Sequence, residues 1–530
     1  MNRGGAGPRQ GPGTTRQAGR GWPLWLALVL LFAGCAAPPP APKPPASYAE
    51  PARPGGRFAA LEAGVAAAHG PDLSGFRLLE RNADGLKWRL VLIDHARHTI
   101  DLQYYVWFGD ATGQLLMARI IAAADRGVKV RILFDDLNTM LRNMTSPELR
   151  DAMLARIDRH PKIEIRVFNA WTQRDWVGRV TEGAVDFARL NRRMHNKQMV
   201  VDNRVAIVGG RNVGDEYMGL NPEFNFQDLD VLGVGPVARQ ASAVFDRFWN
   251  SDWVSRMPVS AGPDGGALTP QMIELPPAAA AHPAMRALVA GAHSWAADLD
   301  ALGGTLAPGR SVVHTDPPSR AASSHNRMPE AFRALMRSAR REVLISNAYI
   351  IPDEIFIADL RELAARGVQV RILTNSLASH DVPAVNAHYE GWRRDILASG
   401  AALHELRADA ALKAEFVDTP PVRSGFVGLH VKAMVVDRER SFIGSMNLDP
   451  RSEVINSEMG VIIDSPALGE RLAQGLARDM SGANSWQVLA ADDGSLRWRS
   501  QAGERSTQPA RDFWQRVQNL LFKLMPASYY

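Results

Sequence analysis

Cysteine and excess charge are both scarce in this 530-residue sequence. A single cysteine, Cys35, excludes an intrachain disulfide framework and any zinc or iron–sulfur site built from several cysteines. The formal charge is +5, from 61 Lys and Arg against 56 Asp and Glu. Four of those cations lie in the first 34 residues, which contain no acid, so the remaining chain has 57 against 56. This near-neutral balance argues against a nucleic-acid partner.

The N-terminal apolar run is short. Leu24–Ala33 has about half of the roughly 20 residues that a membrane-spanning helix needs. The run follows an arginine-bearing start and ends in Leu31-Phe32-Ala33-Gly34-Cys35, which resembles a bacterial lipobox. We therefore predict a signal peptide over 1–34 and lipidation of Cys35, against the alternatives of an ordinary secretory signal or an uncleaved anchor. An Asp directly after the lipidated Cys would retain a lipoprotein in the inner membrane. This chain has Ala36 at that position, which favours a periplasm-facing lipoprotein of the outer membrane.

Proline dominates the residues after Cys35. Ala36–Gly56 contains eight prolines, which predicts an extended tether with a reach of about 65 Å. We assign residues 35–60 to the lipidated cysteine and this tether. Folded sequence is expected from Leu61 onward.

Two parts of the chain repeat one order of predicted elements. A strand over Thr99–Val106, a helix over Gln114–Arg126 and a strand over Val128–Phe134 form a β-α-β unit. The order recurs 240 residues later, over Glu342–Ile350, Ile355–Arg366 and Val368–Thr374. We therefore predict an internally duplicated α/β protein.

The stretch between the copies is rich in Gly, Pro and Ala, as expected of a linker. Accordingly, we predict a first domain over 61–258, a linker over 259–324 that includes a loop-like piece over 301–324, and a second domain over 325–530. We expect a monomer with two pseudo-symmetric halves.

Each half contains a second shared pattern. Residues 195–212 read HNKQMVVDNRVAIVGGRN, and residues 430–447 read HVKAMVVDRERSFIGSMN. Both read His-x-Lys-x4-Asp, with Gly seven residues after the Asp and Asn 17 residues after the His. One such match is weak, because a lone His beside an apolar strand is usually structural. Two copies with identical spacing favour a shared chemical function.

Strand geometry predicts where these side chains lie. His and Lys are two residues apart, so they project to one side of a strand, and the Asn after the return strand comes back beside them. The Asp falls at the turn, where it is better interpreted as structural. The residues are His195, Lys197, Asp202 and Asn212 in the first copy, and His430, Lys432, Asp437 and Asn447 in the second.

This set suits phosphoryl transfer on a diester. One His can attack phosphorus, the other can protonate the departing alkoxide, and the Lys and Asn side chains can hold the phosphate charge. The scheme requires no metal and no cofactor. Each His needs an acceptor on its other ring nitrogen. Asp228 or Asp230, and Glu458, are the candidates.

The duplicated motif resembles that of the phospholipase D superfamily, over roughly residues 75–480. Residues 192–197, 209–217 and 375–389 resemble the bacterial cardiolipin synthase branch. The resemblance implies two duplicated α/β sandwich domains that share one active site. It assigns the two His residues as nucleophile and acid/base, Lys and Asn as phosphate ligands, and the motif Asp as a site member. It also implies that Asp228 and Glu458 support the His of their own halves.

The expected function is therefore phosphatidyl transfer to phosphatidylglycerol from a second phospholipid, giving cardiolipin. Hydrolysis by the same site, as in a phospholipase D, is the nearest alternative, followed by a nuclease. A non-enzymatic scaffold is disfavoured because both copies keep His, Lys and Asn.

Two further segments have mixed apolar and cationic character. Trp171–Arg193 fits either a lip for acyl chains and headgroups or a plain surface loop. Phe513–Leu524 has the apolar spacing of an amphipathic helix, for which we predict packing on the domain rather than on a membrane.

Overall fold

The computed structural model describes residues 43–136, 147–172, 176–256, 285, 288, 295–318 and 326–524. The predicted signal peptide, Cys35 and the first part of the predicted tether lie outside these ranges. Contacts group Pro42–Tyr530 as one unit. None of the described helices has the length and apolar character needed to cross a membrane.

The first half is built on one mixed sheet, and its strand β7 lies outside that sheet. Its strands are β1 (Ser74–Leu79), β2 (Thr99–Tyr104), β3 (Lys129–Asp135), β4 (Ile163–Phe168), β5 (Gln198–Val201), β6 (Val205–Gly209), β7 (Phe224–Gln227), β8 (Asp230–Val234) and β9 (Val254–Arg256). Its helices are α1 (Arg57–His69), α2 (Asn82–His95), α3 (Ala111–Asp125), α4 (Pro147–Asp158), α5 (Trp176–Val185), α6 (Phe187–Leu190) and α7 (Pro236–Trp249). The pairing order is β9-β4-β3-β2-β5-β6-β8-β1, with β2, β3 and β4 parallel.

The second half repeats this topology. Its strands are β11 (Glu342–Asn347), β12 (Gln369–Asn375), β13 (Ala402–Leu406), β14 (Phe426–Leu429), β15 (Lys432–Val436), β16 (Arg440–Gly444), β17 (Met459–Asp464), β18 (Ser485–Ala490), β19 (Leu496–Ser500) and β20 (Gly503–Arg505). Its helices are α9 (Met328–Arg337), α10 (Glu354–Ala365), α11 (Pro383–Ala398), α12 (Pro466–Asp479) and α13 (Phe513–Phe522). The order β13-β12-β11-β15-β16-β17 matches β4-β3-β2-β5-β6-β8. The predicted duplicated α/β fold is confirmed.

The predicted loop over 301–324 is wrong, because it contains a strand. After the short helix α8 (Ala296–Leu302), β10 spans Ala307–Thr315. This strand pairs with β1 on one side and β17 on the other, so it joins the two sheets. Sequence reasoning missed it because Gly309, Arg310 and His314 interrupt the apolar pattern. Edge-to-edge pairing of two half-buried sheets tolerates those residues.

One hydrophobic core is common to both halves. It contains Phe245 and Trp249 of α7, Leu472 and Leu476 of α12, and strand residues such as Val435. Each half also has a core on the opposite face of its sheet. Because the central core draws on both sheets, the halves are packed as parts of one body.

Residues 43–56, which we name the N-terminal strap, are bound to the first half, whereas the sequence predicts a free tether here. The strap is hydrogen-bonded along the first half: the Ser47 backbone N–H donates to Asn250 Oδ1 (3.0 Å), and that of Ala49 donates to Asp246 (2.9 Å). Buried Arg166 donates to the Pro45 carbonyl at 2.7 Å. The prediction of a free tether as far as Gly56 is therefore wrong for this part of the chain.

The C-terminal helix α13 packs on the domain, but by its polar face. Gln515 and Asn519 are buried, whereas Phe513, Trp514 and Leu520 are exposed. Gln515 Nε2 donates to the Leu377 carbonyl, and Asn519 Oδ1 accepts from Asn386 at 2.7 Å. The helix therefore packs on the domain as predicted, although the apolar stripe on which that prediction was based faces outward.

Candidate active site

Each motif histidine lies at a point where the backbones of the two halves are hydrogen-bonded to each other. Parallel strands β7 and β14 come from different halves, and directly after β14 the His430 N–H donates to the Gln227 carbonyl at 2.7 Å. On the other side the His195 N–H donates to the Ser457 carbonyl at 2.8 Å. Each His is thus fixed by backbone of the opposite half, which brings the two motifs to one interface.

The supporting carboxylates cross between the halves. His195 Nδ1 lies 2.9 Å from Glu458 Oε2, and His430 Nδ1 lies 2.6 Å from Asp228 Oδ2. The expectation that each acid supports the His of its own half is wrong. The choice between Asp228 and Asp230 is also decided, because Asp230 instead accepts from buried Arg89 at 3.0 Å.

Small residues make room for these acids. At Gly210, a Cβ would lie 2.2 Å from Asp228 Oδ1, so only glycine lets the short aspartate reach His430. The matching position in the second copy is Ser445, whose hydroxyl donates to Glu458. Ser452 donates to the other Glu458 oxygen at 2.9 Å. Gly210 therefore accompanies the shorter acid, Asp228, and Ser445 accompanies the longer acid, Glu458.

The two lysines have equivalent positions. Lys197 Nζ donates to the His195 carbonyl at 2.7 Å, and Lys432 Nζ donates to the His430 carbonyl at 2.6 Å. Burial lowers the pKa of Lys432 to about 8. Burial lowers the pKa of Lys197 well below its usual value as well, and nearby Lys432 adds to the effect. The site therefore concentrates two cations that an anionic ligand would stabilise.

The imidazoles are held neutral. Burial, followed by the charges of both lysines, lowers the pKa of His195 and of His430 well below the ordinary value. Because the charges of both lysines lower the pKa of each ring, the four side chains lie in one site. With Nδ1 bonded to a carboxylate, Nε2 of a neutral ring keeps its lone pair for attack. Burial raises the pKa of Glu458 to about 7 and also raises that of Asp228.

The two asparagines are buried near the ends of the return strands. The Asn212 amide donates to the Tyr217 hydroxyl at 3.0 Å, and its Oδ1 accepts from the Val106 N–H at 3.2 Å. Oδ1 of Asn447 is buried without a hydrogen-bond partner. Asn447 thus has unused acceptor capacity at Oδ1, whereas both groups of the Asn212 amide are engaged.

The motif aspartates lie outside the site. Asp202 accepts from the N–H groups of Arg97, His98 and Thr99. Asp437 likewise accepts from three consecutive N–H groups, those of residues 340–342. Both aspartates have positive φ in the turns after β5 and β15, at the strand end remote from the histidines. Their listing as site members by resemblance is therefore not supported, and the structural interpretation holds.

Several neighbours of the histidines were not singled out by the sequence motif. The Tyr105 ring contacts His195 at 4.8 Å, while the rings of Phe226 and Tyr217 contact His430 at 5.0 and 5.3 Å. Arg451 of the second half donates to Asn191 Oδ1 of the first at 2.7 Å. Long-range packing decides these contacts, so spacing alone gave no signal for them.

Comparisons with known proteins agree with this geometry. The family model described as "Cardiolipin synthase, PLD-like domain" matches residues 90–249 and 332–480. Cardiolipin synthase C of Escherichia coli is 34% identical over 472 residues, which cover 87% of this chain and 96% of that protein. Cardiolipin synthase A of Pseudomonas entomophila is 29% identical over 415 residues, covering 78% and 69%.

A solved structure shares the fold. The phosphatidylserine synthase of Haemophilus influenzae superposes with a TM-score of 0.53 at 14% identity, and the match covers 80% of this chain and 91% of that one. The predicted resemblance is confirmed by the family match and by the relatives. The chain therefore belongs to the cardiolipin synthase family of phospholipase D-like enzymes.

Proposed function

We propose that this enzyme transfers a phosphatidyl group through a phosphohistidine. The observation that supports this most is the crossed pair of imidazoles, each with Nδ1 held by a carboxylate of the other half. This arrangement fixes two Nε2 atoms at one site in the field of both lysines. A double displacement needs such a pair, because one ring must attack while the other handles the proton.

The bound phosphate offsets the lysine charges that help to keep both rings neutral, so the second His takes up a proton when the phospholipid binds. Nε2 of the first His, which stays neutral, attacks phosphorus, and the P–O bond to the leaving headgroup breaks as the second imidazolium gives its proton to the departing alkoxide. The second His, now neutral, takes the proton of the acceptor hydroxyl. The acceptor oxygen then bonds to phosphorus and the P–N bond breaks, which regenerates both rings. Lys197 and Lys432 stabilise the phosphoryl charge throughout.

We propose phosphatidylglycerol as acceptor and a second phospholipid as donor, so that the product is cardiolipin. The support is the family membership and the extent of the similarity to cardiolipin synthase C. Water as acceptor would make the same site a phospholipase D, with phosphatidic acid as product.

Lys197 and Lys432 can balance the negative charge of the phosphate, so we propose that the reaction proceeds without a metal. Activity should survive exhaustive EDTA treatment. Loss of activity in EDTA that a divalent ion restores would contradict this part of the proposal.

We propose that Cys35 is lipidated and holds the enzyme at the periplasmic side of the cell envelope, with the outer membrane favoured. Because the N-terminal strap is bound from Lys43 onward, only seven residues separate Cys35 from it. Fully extended, these reach about 22 Å. Cys35→Ser should abolish palmitate labelling and stall signal removal, whereas unchanged labelling would contradict the anchor.

The reaction is tested by lipid mass spectrometry after expression in a bacterial host that lacks cardiolipin. Wild-type protein should restore cardiolipin, and His195→Ala should not. His69→Ala, a change at an exposed histidine of α1, is the matched control and should behave as wild type. Phosphatidic acid without cardiolipin would identify a hydrolase, and an unchanged lipid profile would refute the transferase.

A further inference from the structure

Helix α13 buries its polar face and exposes its apolar face. Its buried positions, Gln515 and Asn519, are polar and make hydrogen bonds to the domain. Phe513 and Trp514 are each 71% exposed, and Leu521 is 59% exposed. An exposed stripe of this kind on a water-soluble surface usually marks an interaction site. The polar inner face fixes the helix so that its apolar side points outward.

The other exposed apolar side chains share a location with this helix. We define the catalytic end as the end of the two sheets at which β2 and β11 finish and β5 and β15 begin, next to His195 and His430. Of the twelve large apolar side chains exposed among the described residues, ten belong to elements attached at this end. They are Val180, Val185, Phe187, Ile355, Val454, Phe513, Trp514, Leu520, Leu521 and Leu524. Both halves contribute to this set.

Helix α13 is linked to the second histidine by a short series of contacts. Arg511, just before the helix, donates to the His380 carbonyl at 3.1 Å. The His380 ring stacks on Tyr349 at 5.3 Å, and the Tyr349 ring lies 6.5 Å from that of His430. The start of the helix is therefore linked to His430 through two residues, His380 and Tyr349.

The first half has a matching arrangement. Val185, 88% exposed, ends α5, and the segment that follows is held by Asn169, whose amide donates to the Arg189 and Arg192 carbonyls at 2.9 and 2.7 Å. The chain reaches His195 three residues later. This apolar segment thus leads into His195, while α13 is linked to His430.

The N-terminal strap gives a third, independent indication of direction. It starts at the catalytic end, where Lys43 pairs with Asp252 just before β9. It then runs away from this end, and the Arg53 carbonyl accepts from Arg204 at the turn after β5. The described chain therefore begins at the same end of the sheets as the exposed apolar residues.

We propose that these residues form a membrane-docking rim that seats the catalytic end on a phospholipid bilayer. The inference rests on the proposed function, because a phosphatidyl transferase must draw its substrates from a bilayer. The exposed cation Arg516 on α13 fits anionic headgroups. A second copy of the chain on this surface would block phospholipid from reaching the histidines. A bilayer on the same surface would instead supply phospholipid to them.

Nitroxide labels test the rim in the full-length chain. Cys35→Ser removes the native thiol, and single cysteines are then placed at Leu521→Cys, Val185→Cys and, as a control, Val312→Cys. Val312 is an exposed apolar residue in the middle of β10, away from the catalytic end. On vesicles of phosphatidylglycerol and phosphatidylethanolamine, the labels at 521 and 185 should become accessible to oxygen and protected from a water-soluble nickel chelate. The label at 312 should stay accessible to nickel.

A second measurement uses charge. Leu521→Glu and Val185→Glu should each lower turnover on vesicles by on the order of 10-fold, while turnover of a monomerically dispersed short-chain phosphatidylglycerol stays at the wild-type level. Val312→Glu should change neither rate. This contrast separates docking from folding, because a misfolded variant would lose both activities.

The outcomes distinguish docking from the reaction itself. Labels at 185 and 521 that remain in water on bound vesicles would overturn the docking rim, even if cardiolipin is made. Immobilisation of both labels without vesicles would also overturn it and would indicate a second copy. Insertion of both labels without cardiolipin formation would support the rim and reject the proposed reaction.

Discussion

His430 and Asp228 are hydrogen-bonded, Nδ1 to Oδ2, at 2.6 Å across the boundary between the two halves. Glu458 makes the reciprocal contact to His195 at 2.9 Å. Neither half therefore contains a complete imidazole–carboxylate pair of its own. This crossing explains why the motif can be duplicated and yet form a single site.

Asp228→Asn should disable the histidine of the other half. An amide has no negative charge to balance an imidazolium, and its NH2 group can donate to Nδ1 and favour the wrong tautomer, so the rate should fall on the order of 10²-fold or more. Nitrogen NMR of labelled histidines should show a changed tautomer for His430 and an unchanged signal for His195. The reverse pattern would contradict the crossed pairing.

The two histidines should behave as one unit. His195→Ala and His430→Ala should each remove nearly all turnover, and the double variant should lose little more than either single variant. Steady-state rates on phosphatidylglycerol vesicles provide the measurement. Half of the wild-type activity in either single variant would mean two independent sites.

The pH profile should report the two lysines. Burial lowers the pKa of Lys432 to about 8 and lowers that of Lys197 well below its usual value. Lys432 is charged below its pKa and neutral above it, so kcat/KM should fall as pH rises through about 8. Lys432→Arg keeps its charge and should weaken this fall. A flat alkaline profile would contradict this assignment.

The aspartate in each motif should matter for stability and not for chemistry. Asp437→Ala leaves the N–H groups of Arg340, Arg341 and Glu342 without their acceptor, which should cost about 2–4 kcal/mol of unfolding free energy. Urea unfolding measures this loss. The rate per folded molecule should remain within a few-fold of wild type, and a selective loss of kcat would instead place Asp437 in the reaction.

How far the sequence predicted the molecule depends on the range of the interactions. The repeated β-α-β units were predicted within a few residues, because local periodicity determines them. Residue spacing was silent on the crossing of Asp228 and Glu458, since pairing between halves is a property of tertiary packing. The strap was missed for a related reason: buried Arg166 and Arg131 need acceptors, and the Pro45 and Ser47 carbonyls supply them. On α13 the period of the helix was correct, but hydrogen bonds by Gln515 and Asn519 decided which face is buried.

The competition between transfer and hydrolysis should depend on the anchor. A phosphohistidine is discharged by whichever hydroxyl is in line, so the product reflects the acceptor concentrated at the site. On vesicles of phosphatidylglycerol and phosphatidylethanolamine, lipidated wild-type protein should form cardiolipin faster than phosphatidic acid. The fragment from Lys43 onward keeps the strap and its bonds to Asp246 and Asn250, so it is the matched control without the anchor. In dilute detergent, where acceptor headgroups are sparse, this fragment should shift toward phosphatidic acid. If the lipidated protein makes phosphatidic acid alone on vesicles, water is the natural acceptor and the enzyme is a hydrolase.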